Sequence, residues 1–216
     1  MKINAIIPAG GTSSRFGTKN KLLEKINGKE VIRYTVEVFE HSNVDEIIVC
    51  AHPSITEELE TIFRDFEKVH IIQGGNCRQQ SVFNGLKFDG CDYVLIHDAA
   101  RPIISEELVN RIAELVREKR AVTVATKTID TIKEVSDGKI IRTIDRAKLY
   151  NTQTPQAFEY KLIKDAHEKL AGMDFTDDAG MLEYFGKTVY ILDGSYKNIK
   201  ITTLNDIDVA KIYLNN

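Results

Sequence analysis

The sequence predicts an α/β fold, a mostly parallel sheet flanked by helices. Three observations carry that prediction. Short β-branched runs alternate with stretches of helical spacing from residue 3 to about residue 125, the pattern of βαβ crossovers. Several runs end directly in turns rich in glycine or alanine, at the strand ends where such sheets bind ligands. The 216 residues, 43% of them hydrophobic, suffice for one substantial core with at most a small appendage, so residues 1–216 read as one domain.

The elements follow in order. Residues 3–7 form a buried strand that runs into Pro8-Ala9-Gly10-Gly11-Thr12-Ser13-Ser14-Arg15-Phe16-Gly17-Thr18-Lys19-Asn20-Lys21. Glycines let backbone approach a ligand closely, and consecutive N–H groups in such a turn form an anion-binding concavity. Arg15, Lys19 and Lys21 add positive charge there, which suits a polyphosphate. The stretch is neither a Walker loop nor a dinucleotide fingerprint, and its plain alternative is a solvated loop. Residues 29–42 have helical spacing, and 46–51 form a strand. Ser54-Ile55-Thr56-Glu57 reads as a capping box for the next helix. Residues 69–72 form a strand ending at Gln73-Gly74-Gly75, a helix covers about 79–87, and strand 93–96 ends at His97-Asp98. An amphipathic helix at 105–118 and a strand at 122–125 complete the alternation.

The pattern then changes. Residues 131–135 and 140–144 flank Ser136-Asp137-Gly138-Lys139, a hairpin signal. A lone two-stranded hairpin is marginal in water, so this one must rest on the body or on another subunit. Helices at 159–170 and 177–185, a strand at 188–192 and a short strand at 199–202 follow. A closing helix capped by Thr203 turns Ile207, Ala210 and Leu214 inward.

Composition excludes some partners. A net charge of −3 gives no general attraction to nucleic acid or to an anionic membrane. No run approaches the length of a membrane span, and Met1-Lys2-Ile3 starts a strand, not a signal peptide. Cys50, Cys77 and Cys91 lack Cys-x-x-Cys spacing and read as reduced thiols of a cytoplasmic protein.

Candidate chemistry lies at the strand ends. Asp98 projects from the end of the buried run Tyr-Val-Leu-Ile, where it can help hold Mg²⁺ or instead cap its turn and pair with Arg101. His97 alternates to the opposite side and reads as structural. Gly74-Gly75-Asn76-Cys77-Arg78-Gln79-Gln80-Ser81 suits a base and ribose, or merely caps the helix it opens. Cys77 reads as a small buried hydrophobe. Lys200 faces away from Ile199 and Ile201, into solvent or a cleft, and Arg146 is equally open. Thr176-Asp177-Asp178 reads as a helix start.

Taken together, Pro8-Ala9-Gly10-Gly11 with Arg15 and Lys21, Gly74-Gly75 to Ser81-Val82, and His97-Asp98-Ala99-Ala100-Arg101-Pro102 resemble the 2-C-methyl-D-erythritol 4-phosphate cytidylyltransferase family. So do Asp130-Thr131-Ile132-Lys133, Gln153-Thr154-Pro155-Gln156, Thr176-Asp177-Asp178-Ala179 and Asn198-Ile199-Lys200-Ile201-Thr202. The resemblance spans nearly the whole chain, in order. It implies a Rossmann-like sheet of the nucleotide-diphospho-sugar transferase type, with a β-hairpin dimerisation arm at about 131–150. It also implies a step of non-mevalonate isoprenoid biosynthesis in which CTP and a sugar-alcohol phosphate, 2-C-methyl-D-erythritol 4-phosphate, give 4-diphosphocytidyl-2-C-methyl-D-erythritol and pyrophosphate, with Mg²⁺ as cofactor. By that resemblance Arg15 and Lys21 grip the triphosphate, with Pro8, Ala9, Gly10 and Gly11 at its loop. Gly75, Asn76 and Ser81 surround cytosine and ribose. Asp98 lies by the metal and the acceptor, and Arg101, Thr131 and Lys200 meet the acceptor phosphate. Arg146 acts in the neighbouring subunit's site of a homodimer.

The chain departs from the family at Ser13, usually glycine, and at Asn20-Lys21-Leu22, usually Pro-Lys-Gln. Lys19 thus competes with Lys21 for the catalytic place, and Lys21 keeps the distance to Leu23 and Gly28-Lys29. Two other readings share the fold: a ribitol-5-phosphate cytidylyltransferase and a catalytically idle nucleotide-binding protein. In the enzyme readings an already ionised phosphate attacks an anionic triphosphate. Neutralisation and alignment are then the catalytic work, and no general base is needed.

Overall fold

The computed structural model describes residues 1–11 and 20–215. The strand β1 (Ile3–Ala9) is followed by a small hairpin of β2 (Lys25–Ile26) and β3 (Lys29–Glu30) that leads into α1 (Val31–His41). Next come β4 (Glu46–Ala51), α2 (Thr56–Ile62), β5 (Val69–Gln73), α3 (Arg78–Gly85), β6 (Tyr93–Ile96), α4 (Glu106–Lys119) and β7 (Ala121–Lys127). The arm strands β8 (Lys133–Ser136) and β9 (Lys139–Thr143) precede β10 (Tyr150–Glu159), α5 (Tyr160–Lys169), α6 (Asp178–Tyr184), β11 (Tyr190–Asp193) and α7 (Leu204–Leu214).

Seven strands form one sheet in the order β11-β7-β10-β6-β1-β4-β5. The neighbours are parallel except at β10, which runs antiparallel to both β6 and β7. Side-chain alternation sorts the strand residues onto two faces. Ile3, Ala5, Ile7, Ile47 and Val49 join α1, α2 and α4 in one core. Ile6, Ile48 and Cys50 join α3, α5 and α6 in the other. With apolar layers on both faces, β1 and β4 are apolar nearly throughout, as buried parallel strands are. Burial also pushes the Cys50 thiol up to about 12 and that of Cys91 up to about 11, so neither is a nucleophile at neutral pH.

Several sequence expectations need correction. The capping box at Ser54 does not form; a 3₁₀ turn at Pro53–Ile55 leads into α2, and the imidazole of His52 accepts the Ser54 N–H. Residues 199–202 are not a strand but a segment without regular structure, pinned by the Ile201 N–H to the Ala100 carbonyl at 2.8 Å. The strand expected at 188–192 begins later, at Tyr190. The long strand β10 has no counterpart in the sequence reading. Its pairing with β7 shifts register between Thr152 and Gln156, around Pro155, which has no N–H for a ladder. Thr203 does form a capping box, with Asp206, at the start of α7.

The hairpin arm stands apart as its own two-stranded sheet, exposed at every residue of both strands. Ile129, Val135, Ile140 and Ile141 there are each between 55% and 65% exposed.

Candidate active site

Two turns meet at the carboxyl ends of β1 and β5. A Cβ on Gly10 would lie 2.6 Å from Ser81 Oγ and 3.1 Å from the Gly75 carbonyl, so only glycine lets the turns touch. A Cβ on Gly75 would run into the Gln80 side chain. Ser81 is fully buried; its Oγ accepts the Gly75 N–H at 3.0 Å and donates to the Cys77 carbonyl at 2.9 Å. The hydroxyl thus shapes the turn from within, while Gly11 and Asn76 stay exposed on its rim and Pro8 is half-buried. Cys77, expected to be buried, is exposed instead. It caps α3, its Sγ accepting the Gln80 N–H at 3.4 Å, because the first turn of the helix needs an acceptor there.

The end of β6 presents Asp98, only 7% exposed, to three cations. Arg78 Nε donates to Oδ1 at 2.9 Å. Lys200 Nζ lies 2.8 Å from Oδ2, and Arg101 Nε 3.7 Å from the same oxygen. Burial pushes the Asp98 carboxyl up, but the charges of Arg78 and Lys200 outweigh it and hold the group well below the usual carboxylate range. Arg78 in turn donates through Nη1 to Asp178 Oδ2 at 2.7 Å, and Asp178 Oδ1 lies 3.0 Å from Nε2 of the buried His167. Burial would lower the Arg78 guanidinium, yet Asp178 and Asp98 together raise it above its ordinary value.

Backbone geometry at this turn is set by His97, which is structural as the alternation implied. Its Nε2 lies 3.2 Å from the Arg101 carbonyl, which can only accept, so Nε2 carries the proton. Its Nδ1 then accepts from the Thr154 hydroxyl at 3.1 Å, and Thr154 Oγ1 accepts the Asp98 N–H at 3.1 Å. The ring is neutral in this chain of bonds, and burial lowers it to about 4.

The segment 198–201 closes the site. Arg101 Nη1 donates to the Asn198 carbonyl at 2.7 Å, and Asn198 Nδ2 donates to the Thr154 carbonyl at 2.9 Å. Lys21 Nζ donates to the Ile201 carbonyl at 2.7 Å, so the residue just after the first glycine loop touches the segment that carries Lys200. Three cationic side chains therefore gather around two buried carboxylates, with Lys21 bonded to the segment that carries Lys200, next to a pair of glycine turns. That surplus of positive charge suits a polyanionic ligand.

Comparison with known proteins agrees with the resemblance. The family described as IspD, 2-C-methyl-D-erythritol 4-phosphate cytidylyltransferase, matches residues 3–216. The chain belongs to this family. A relative of that name from Clostridioides difficile is 41% identical over 225 residues, covering 98% of this chain and 93% of the relative. One from Prochlorococcus marinus is 42% identical and covers 98% of each chain. A crystal structure of 4-diphosphocytidyl-2C-methyl-D-erythritol synthase from Anaerococcus prevotii superposes with a TM-score of 0.90 at 33% identity, covering 100% of this chain and 96% of that one. The fold is thus the Rossmann-like sheet of a nucleotidyltransferase family.

Among the residues expected at an IspD site, the structure brings together Gly10, Gly75 and Ser81 in one group, and Asp98, Arg101, Lys200 and Lys21 in another. Arg15 and Lys19 lie outside the described residues. Thr131 and Arg146 are exposed on the arm side, where Arg146 donates to the Ile129 carbonyl, and neither bonds to the Asp98 cluster among the described residues. Arg78, Asp178, His167 and Thr154 escaped the sequence reading as site residues. The Gln-Thr-Pro-Gln and Thr-Asp-Asp motifs were their signal: Gln156 Oε1 accepts the N–H groups of Asp178 and Ala179, so both motifs scaffold one helix start. A metal held by protein groups alone does not fit the described residues. No group of three or more His, Cys, Asp or Glu among the described residues is arranged to hold an ion. The two oxygens of Asp98 already serve cations, which repel a further one approaching to about 2.1 Å. In this structure Asp98 anchors those cations.

Proposed function

We propose that this chain transfers a cytidylyl group from CTP to 2-C-methyl-D-erythritol 4-phosphate, giving 4-diphosphocytidyl-2-C-methyl-D-erythritol and pyrophosphate. The observation that carries this reading is the meeting of Arg78, Arg101 and Lys200 around Asp98, with Lys21 bonded to the Ile201 carbonyl next to Lys200, beside the turns of Gly10 and Gly75. CTP enters as its magnesium complex, and Mg²⁺ is brought by the substrate. Gly75, Asn76 and Ser81 form the seat of cytosine and ribose, and Pro8, Ala9, Gly10 and Gly11 offer backbone to the phosphates. Arg15 and Lys21 draw charge from the triphosphate. Arg101 and Lys200 hold the acceptor phosphate, whose ionised oxygen attacks the α-phosphorus as pyrophosphate leaves. Asp98 keeps Lys200 extended toward the acceptor without neutralising the site, since cations still outnumber carboxylates.

The active form is a homodimer in which Thr131 and Arg146 of the partner subunit complete the acceptor side. The apolar, exposed arm supports this, because such a hairpin needs a covering surface. No helix among the described residues is long and apolar enough to cross a membrane, and we place the enzyme in the cytoplasm, where its three free thiols stay reduced. Pyrophosphate release from CTP, measured with each acceptor in turn, tests the reaction. Methylerythritol phosphate is expected to turn over, and Lys200→Gln to lower that rate by about 10²–10³ with CTP affinity retained. Turnover with ribitol 5-phosphate alone would reassign the acceptor, and no release with either would leave a nucleotide binder.

A further inference from the structure

We infer that Arg78 is a positioning residue of the transferase, a fork that locks Asp98, and through it Lys200, to a rigid anchor built from α5 and α6. The inference rests on the reaction proposed above. Arg78 stands in the first turn of α3, directly after the turn assigned to cytidine, and its guanidinium spans two buried carboxylates. One of them cannot move. Asp178 is held by His167 Nε2 at 3.0 Å, and its own N–H donates to Gln156 Oε1 at 3.0 Å. The helix that carries Arg78 is fixed to the same anchor at two more points. Phe83 stacks on His167 with ring centroids 6.2 Å apart and planes 5° from parallel, and Gln79 Oε1 accepts the Phe175 N–H at 3.3 Å.

The other carboxylate has a competing place to go. Arg101 Nε is buried without a hydrogen-bond acceptor and lies 3.7 Å from Asp98 Oδ2, the oxygen that serves Lys200. A buried donor left unpaired draws an acceptor toward it. Arg78, bonded to Oδ1, keeps the Asp98 carboxylate turned to Lys200. Without it the carboxylate swings onto Arg101, and both acceptor-binding cations lose their set positions. A lysine cannot replace the fork, since it is a point donor on a flexible stem and cannot hold two carboxylates in fixed directions. Arg78 thereby makes the acceptor grip depend on the turn that binds the nucleotide.

The test compares wild type, Arg78→Gln, Arg78→Lys and Asp178→Asn in the full-length protein. Equilibrium binding of CTP is measured without acceptor, and steady-state pyrophosphate release with varied 2-C-methyl-D-erythritol 4-phosphate. Arg78→Gln is expected to lower kcat/KM for the acceptor by about 10²-fold, the usual cost of misplacing a reacting group by about 1 Å, while CTP affinity stays within about threefold. Arg78→Lys recovers little of the loss. In an Asp98→Asn background, Arg78→Gln costs less than about threefold more, because both changes break the same link. Additive losses, an equal fall in CTP affinity, or full rescue by lysine would overturn the inference. If Arg78→Gln does not fold, Asp178→Asn decides by the same two measurements. Should wild type release no pyrophosphate, calorimetric binding of the acceptor to the complex with an α,β-methylene CTP analogue separates the two ideas. Weaker acceptor binding in Arg78→Gln then keeps the fork while the reaction falls, and unchanged binding removes both.

Discussion

Acidification should unfold this protein in two distinguishable windows, and His97 sets the first. The imidazole is fully buried, beside Phe39 at 5.2 Å, with both ring nitrogens already committed. A second proton would force Nδ1 to donate to a hydroxyl that now donates to it. Burial accordingly lowers the group from an ordinary 6.5 to about 4. Between those values the unfolded chain binds a proton that the folded chain refuses. Stability therefore falls as pH drops through that range and, for this residue, levels off below it. The gap corresponds to about 3 kcal/mol, or a melting temperature lower by about 6–12 °C for a chain of this size. Asp98 and Asp178 work in a different window, since their carboxyls are held below the usual range. Their contribution is present above the ordinary value of 3.8 and is lost as pH falls below it. Urea denaturation of wild type and His97→Gln from pH 7 to pH 4 measures the difference. The glutamine retains a donor toward the Arg101 carbonyl but does not titrate. The variant should be less stable at pH 7 by roughly 1–3 kcal/mol, and the gap should close or reverse by pH 4. Stability curves that stay parallel across that range would refute the assignment of a neutral, buried imidazole.

Three further outcomes are expected. Gly10→Ala drives a methyl against Ser81 and the Gly75 carbonyl, and overpacking of about 1–3 kcal/mol should weaken CTP binding by roughly 5- to 150-fold, read by calorimetry. The double change Ile140→Asp with Ile141→Asp should convert the proposed homodimer to monomer in sedimentation equilibrium and remove turnover together with it. Gln156→Ala breaks bonds to Thr123, Asp177, Asp178 and Ala179 at a fully buried position and should cost roughly 2–4 kcal/mol in urea denaturation, with the loss concentrated around α6 in hydrogen exchange.

Much of the architecture was legible from periodicity. The β-branched runs at β1, β4, β5, β6 and β7 and the apolar spacing of α1 and α4 are direct consequences of burial on both faces of a sheet. What periodicity could not show was β10. Its run Asn-Thr-Gln-Thr-Pro-Gln is polar and contains a proline, because its side chains serve hydrogen bonds to His97, Asp98 and α6 and not only the core. The same blindness hid the site's second half. Asp178 was legible as a helix start, which it is, but its contact with Arg78 spans 100 positions of sequence and leaves no local trace. Cys77 misled for a related reason: free cysteine is usually buried, and here the helix end needed its sulfur. Lys200, left open between solvent and cleft, was settled only by tertiary contact with Asp98.

Because β10 lies between β6 and β7, the sheet cannot be completed in the order in which a ribosome delivers it. Strands β1, β4, β5 and β6 find one another within the first 96 residues, yet one side of β6 stays bare until residue 150 and beyond has emerged. Strand β7 is in the same position, since its partners β10 and β11 are both synthesised after it. A nascent or truncated chain thus carries two open strand edges that invite pairing with other chains. Lys200, near the far end, closes the charged cluster, so no fragment lacking the last few dozen residues can possess it.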